Sequence, residues 1–202
     1  MAMQHTGESA PRPERRLLGV RFDEALLLAT RLHRQQARKA SGVPYVAHLL
    51  AVTALVMEEG GGEDVAIAAL LHDAAEDQGG EATLAYIEAA FGASVARWVR
   101  QASDTFEQPK PSWEQRKRHH LAAIPSADRE ARLIMLADKV HNARSILADH
   151  RRVGRSVWMR FNAGRDRTMW YYQSLTEVFD RALAPVLYDE LVNCVAMMKE
   201  LD

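Results

Sequence analysis

The segment AIAALLHDAAEDQGG, residues 66–80, is apolar as far as Leu71 and then sets His72, Asp73, Glu76 and Asp77 together before any turn residue. Residues four apart share one face of a helix. The spacing therefore predicts His72 over Glu76 and Asp73 over Asp77, a polar stripe at the end of an apolar helix. Three carboxylates this close repel one another, and burying them unpaired would cost several kcal/mol each or force protonation. A divalent cation removes the conflict. Imidazole with carboxylate is a workable ligand set for Mn, Fe, Co or Zn.

One His-Asp pair cannot complete such a site, so other polar residues in apolar helices become relevant. His48 lies in YVAHLLAVTALV and Asp138 in ARLIMLADKVHNARSI, both where the local pattern calls for apolar side chains. Asn142, four residues past Asp138, shares its face. The candidate ligand set is His48, His72, Asp73 and Asp138, two nitrogens and two oxygens, with positions left for water and substrate. Each residue alone has a plain structural reading, as a hydrogen-bonded core histidine or a solvated helix end. His33 and His141 keep that reading. The joint pattern carries the metal hypothesis: a His, a His-Asp with Glu-Asp behind it, and a further Asp, each in a separate apolar helix.

Helices must position these residues, because helical periodicity runs through most of the chain and no β alternation stands out. Helices are expected from Phe22, from about Tyr45 to Glu59, where Pro44 can open the first turn, and from Glu63 through Asp77, with two short ones either side of Gly92. WEQRKRHHLAAI forms another, and a long one starts at Ser126 or Asp128. VWMRFNAG, DRTMWYYQSLTEVFDRAL and PVLYDELVNCVAMMKEL follow. The expectation is one all-α domain of about nine or ten helices over residues 18–202, after a disordered tail over residues 1–17. A chain of 202 residues that is 48% hydrophobic suits one domain with a proper core. The net charge of −1 gives no general attraction to nucleic acid or an acidic membrane. No apolar run approaches the roughly 20 residues of a membrane span. The lone cysteine, Cys194, fits a reducing cytoplasm.

The ordered motifs resemble a known family. H…HD…D is the signature of HD-domain metal-dependent phosphohydrolases. HRQQARKASGVPYVAH resembles the HxxQxRK…GxPYxxH segment of the hydrolase domain of the RelA/SpoT alarmone enzymes. LLHDAAED resembles their HDxxED motif, and LADKVHNARS their LADxxHNxR segment. The likeness spans about Phe22 to the WYYQSL helix. The length leaves no room for a synthetase domain, so the resemblance implies a stand-alone small alarmone hydrolase.

By that resemblance His48, His72, Asp73 and Asp138 bind a divalent metal, usually Mn²⁺, and Glu76 and Asp77 carry the hydrolytic step. A carboxylate there can orient a water and take its proton, with Glu76 acting directly or bracing a ligand. The substrate implied is a purine nucleotide bearing a 3′-diphosphate, guanosine by the family and adenosine as the alternative, the guanosine compound being cleaved to GDP or GTP and pyrophosphate. Arg38 and Lys39, followed by Ser41, match the segment facing base and ribose, where a guanidinium can stack on a purine. Asn142 matches a nucleotide contact, with Arg144 and Lys139 as further candidates. The family commonly reads RKSG where this chain has RKASG, and the extra Ala40 shifts Lys39 relative to Ser41. The basic run KPSWEQRKRHH is either a solvated face or a source of Arg116 or Lys117 for the 5′-phosphates. Trp170, Tyr171 and Tyr172 are read as core. The partner is a small nucleotide, with no nucleic acid and no membrane, and the oligomeric state stays open. Two rival readings remain: an HD hydrolase of another nucleotide, such as a nucleoside monophosphate or a nicotinamide dinucleotide phosphate, and a catalytically silent nucleotide-binding module.

Overall fold

The segments with least polar character become the innermost helices. A helix that is apolar all round has no solvent face to present and is driven to the centre. In the computed structural model, which describes residues 17–38, 41–107, 109–161 and 163–201, that helix is α3, Glu63–Leu71. Its side chains from Val65 to Leu71 are all buried, with Glu63 and Asp64 in the first turn where the helix dipole favours them. Around it pack α1 (Val20–Leu32), α2 (Val46–Glu58), α6 (Ala93–Ala102) and α8 (Arg129–Val153). The chain is completed by α4 (Ala74–Asp77), α5 (Gly80–Phe91), α7 (Trp113–Ala123), α9 (Gly164–Val178) and α10 (Pro185–Lys199). Among the described residues there is no strand, only an isolated antiparallel bridge between Ala37 and Pro44. The all-α reading stands. Lys39, Ala40 and the expected tail as far as position 16 lie outside the described residues.

Two helix ends show how local chemistry sets the boundaries. Ser112 caps α7 by accepting from the Gln115 backbone, while the Gln115 side chain returns to the Ser112 backbone, a reciprocal capping box. Asp128 occupies the cap position of α8 without capping it. Its carboxylate is taken by Arg97 Nε at 2.7 Å and Trp98 Nε1 at 3.0 Å, so it ties α8 to α6. α8 stops at Gly154, whose φ of +60° and ψ of −149° suit glycine alone.

Three expectations need correction. The pattern predicts one helix through Asp77, but the structure interrupts it at His72 and Asp73. Asp73 relaxes to φ −95° and ψ −3°, and the His72 ring takes up the Ala69 carbonyl, a carbonyl of the last turn of α3, at 2.7 Å. The backbone bond from Asp77 N to Asp73 O, at 3.0 Å, resumes the helical course in α4. VWMRFNAG yields a 3-10 turn, Gly154–Arg160, rather than an α-helix. Pro44 stands outside α2, because it pairs with Ala37 and leaves Tyr45 as the cap residue.

Among the described residues, no helix is long and apolar enough to cross a membrane. Ile67, fully buried at the middle of α3, tests the weight of this core. Ile67→Ala is expected to lower stability by about 2–5 kcal/mol, read as a drop in the urea midpoint with an unchanged slope.

Candidate active site

Three helices deliver the four candidate ligands to one point. His48 comes from the first turn of α2, His72 and Asp73 from the break after α3, and Asp138 from the middle of α8. His48 and His72 are each 2% exposed and Asp138 8%. One ligand atom each from His48, His72 and Asp138 lies within 4.8 Å of the others. Asp73 Oδ2 is 3.0 Å from His72 Nε2 and 3.6 Å from His48 Nε2, and Asp138 Oδ1 is 3.2 Å from His48 Nε2.

A hydrogen bond at Nδ1 of each imidazole leaves its Nε2 turned toward the carboxylates. A carbonyl can only accept, so His72 Nδ1, facing the Ala69 carbonyl, carries hydrogen. Its Nε2 then turns toward the carboxylates, buried and without a hydrogen-bond partner despite the short distance to Asp73. A nitrogen lone pair facing carboxylate oxygens is the arrangement a cation resolves. In its absence a proton does the same work. Burial opposes charging His72, but Asp73 and then Asp138 outweigh it and raise its pKa to about 9.

His48 is oriented by a residue read from sequence as ordinary core. Its Nδ1 lies 2.8 Å from His141 Nδ1. Burial, and then repulsion from His48 and Arg38, lower His141 to about 4, so it is neutral and has one nitrogen able to accept. With His48 Nδ1–H donating to it, the Nε2 lone pair of His48 faces Asp73 and Asp138. The available signal was position: His141 stands three residues past Asp138 on α8, on nearly the same face.

The acids are kept ionised by what surrounds them. Burial pushes Asp73 upward, but His72 and His48 hold it well below the usual carboxylate range. The Tyr45 hydroxyl also donates to its Oδ2 at 2.5 Å. Lys139 heads the causes that hold Asp138 down in the same way against burial. Lys139 Nζ meets Asp138 Oδ2, and Asn142 Nδ2 donates to its Oδ1, each at 2.5 Å. These donor sets suit a divalent cation: two imidazole nitrogens and two ionised oxygens, each braced from behind.

The two remaining acids face different neighbours. Glu76 accepts from the Asp104 backbone N–H at 2.8 Å and from Lys110 Nζ at 3.0 Å. Asp77, more exposed, accepts from Gln36 Nε2 at 2.6 Å. Arg38 reaches the site through Asn142, donating to its Oδ1 at 2.8 Å. Ser41 sits exposed in the following loop, its Oγ accepting from the Val43 N–H at 3.4 Å.

Other candidates are committed elsewhere. Arg116 and Lys117 both bind Asp104 Oδ2, Lys117 at 3.1 Å. Burial and the nearby Lys139 lower the Lys117 pKa. Arg144 forms a two-pronged pair with Glu190 of α10. Lys139 is spent on Asp138. The basic run thus divides: Arg118 is a solvated partner of Glu114, while Arg116 and Lys117 brace Asp104. Tyr171 and Tyr172 are buried, as expected of core.

A His, a His-Asp pair and a distant Asp converging from three helices define an HD domain, and the model of that family, described as HD domain, matches residues 25–169. The chain belongs to this family. It is similar to the human guanosine-3′,5′-bis(diphosphate) 3′-pyrophosphohydrolase MESH1, with 40% identity over 126 residues, 61% of this chain and 68% of the relative. The Xenopus tropicalis enzyme of that name is 35% identical over 158 residues, 77% of this chain and 80% of the relative. The bifunctional (p)ppGpp synthase/hydrolase SpoT of Escherichia coli is 36% identical over 130 residues, which are only 18% of its length. A solved metazoan ortholog of SpoT, described as hydrolysing ppGpp and acting in starvation responses, superposes with a TM-score of 0.77 at 27% identity. That match covers 92% of this chain and 99% of the other.

A divalent cation held at this site should stabilise the fold. At a hundredfold excess over Kd the gain is about 2.7 kcal/mol, read as a rise in Tm that His72→Ala abolishes. His141→Leu is expected to leave the fold intact and weaken cation affinity about 10–100-fold, measured by competition with a chelator. Native affinity in that variant would remove His141 from the site.

Proposed function

We propose that this chain hydrolyses the 3′-diphosphate of purine nucleotide alarmones, converting (p)ppGpp to GDP or GTP and pyrophosphate. The observation that carries it is the buried convergence of His48, His72, Asp73 and Asp138, with Glu76 and Asp77 one turn further on. The alarmone hydrolases among its relatives supply the substrate class. The cation, Mn²⁺ in this proposal, would be held by those four residues and would supply Lewis acidity and positive charge against the diphosphate.

The chain's own groups do the rest. Glu76 and Asp77 are the carboxylates placed to orient the attacking water and to take its proton at a carboxylate oxygen. The bond between phosphorus and the 3′-oxygen breaks, and that oxygen ends protonated. Glu76 is held on two sides, by the Asp104 N–H and by Lys110, so its orientation is set before substrate arrives. Arg38, anchored through Asn142 to Asp138, ties the base-side loop to the centre. Lys39 and Ser41 complete that side in this proposal. Arg116, Lys117 and Arg144 are given no substrate contact, since each is occupied by a carboxylate. The domain is taken as residues 18–202 and the setting as cytoplasmic, a view the buried free thiol of Cys194 supports.

Glu76→Gln keeps the shape and removes the base. Its kcat should fall by about two to four orders of magnitude with the cation retained. Loss of cation along with activity would make Glu76 a brace, and unchanged activity would leave the proton to Asp77.

Guanine is the base this reading favours. Stacking by Arg38 does not distinguish purines, because each has a π-face. Comparing kcat/KM for guanosine and adenosine 3′-diphosphates with Mn²⁺ decides the base. More than about a tenfold preference for adenine, some 1.4 kcal/mol, would overturn guanosine. No turnover of either would leave an HD hydrolase of some other nucleotide.

A further inference from the structure

The HRQQ stretch ahead of Arg38 has so far no chemical role, although its Gln36 donates a side-chain hydrogen bond to Asp77. The direction of its hydrogen bonds follows from chemistry alone. An ionised carboxylate only accepts, so the Gln36 atom 2.6 Å from Asp77 Oδ2 is the amide nitrogen. The Gln36 amide oxygen must then face the other way. There it meets Gln78 Nε2 at 2.8 Å and His33 Nδ1 at 2.7 Å. An amide oxygen also only accepts, so His33 Nδ1 carries hydrogen. Donation runs from His33 to Gln36 to Asp77.

His33 is placed for this task. It is 2% exposed, and its Nε2 is buried without a partner, so its hydrogen bonding is spent entirely on Gln36. The backbone bond from Gln36 N to His33 O, at 3.0 Å, closes the turn that brings the two side chains together. One ring face of His33 stacks on Tyr45, centroids 5.3 Å apart and planes 21° from parallel. Tyr45 in turn donates to Asp73. An exposed aspartate left alone would sample several rotamers. Asp77 is instead held by a chain that starts in a buried ring.

We infer that His33 and Gln36 are positioning residues for Asp77, setting its carboxylate for the proton transfer. The inference rests on the proposed hydrolysis, in which Asp77 takes part.

The alternative is that His33 merely fills space, and two substitutions separate the roles. His33→Phe keeps a ring against Tyr45 and loses the donor. His33→Asn sets an amide N–H near the place of Nδ1 and loses the ring. Positioning predicts that His33→Phe lowers kcat about 10–100-fold, with KM and Mn²⁺ affinity unchanged. His33→Asn should stay nearer wild-type turnover despite a lower Tm. Gln36→Met should match His33→Phe, and the double variant should be no worse than either single one. The reverse order, with the Phe variant active and the Asn variant impaired, overturns the inference. A second readout needs neither activity nor metal: the Gln36 side-chain amide protons of the cation-free wild type should exchange slowly with solvent by NMR. Exchange as fast as that of an exposed glutamine overturns it as well. An inactive wild type on every purine 3′-diphosphate removes the proposed function and this inference together, whereas an active wild type with the wrong order removes the inference alone.

Discussion

The structure is organised around the cost of keeping two ionised aspartates in an apolar core. Taking a carboxylate out of water costs several kcal/mol even after relaxation. α3 itself buries only apolar side chains, and where it meets α2 and α8, Asp138 is buried and Asp73 partly buried. Their neighbours are the means by which the core tolerates them: two imidazoles, the Tyr45 hydroxyl, the Asn142 amide and the Lys139 ammonium. The remaining mismatch, a lone pair of His72 set against carboxylate oxygens, is one that a divalent cation or a proton resolves.

Charge alternates outward from that point. Lys139 lies behind Asp138. Beyond it Lys117 and Arg116 converge on Asp104, and the backbone of Asp104 holds Glu76. His120, beside Lys139 and Lys117, and His141, beside His48 and Arg38, are both depressed into the neutral form, burial being the main cause. Neutral histidines can accept or donate without adding to the local positive charge, which is what allows His141 to brace His48.

Rigid elements do the placing. α2, α3 and α8 are packed directly against one another, so the side chains that converge from them inherit the precision of a close-packed core. The groups assigned to proton transfer and to the base sit instead on the short α4 and on loops. They are fixed by hydrogen bonds rather than by burial: Asp77 by Gln36, Glu76 by the loop after α6, Arg38 by Asn142.

The sequence by itself determined the helical class and the four converging residues. Both are properties of a single helix: the apolar period marks a buried face, and a charged side chain on that face is anomalous wherever it lies. His48, His72 and Asp138 were legible for that reason. Partnership across elements was not. Nothing in the local pattern around His141 distinguishes a brace from a filler. Nothing around Arg116 or Lys117 reveals that Asp104 has claimed them, or that Glu190 holds Arg144. The break at His72 was hidden as well, since it depends on a ring taking a carbonyl of its own helix. Periodicity reports which way a side chain faces, whereas its partner is decided by which other helix arrives there, and only the tertiary structure settles that.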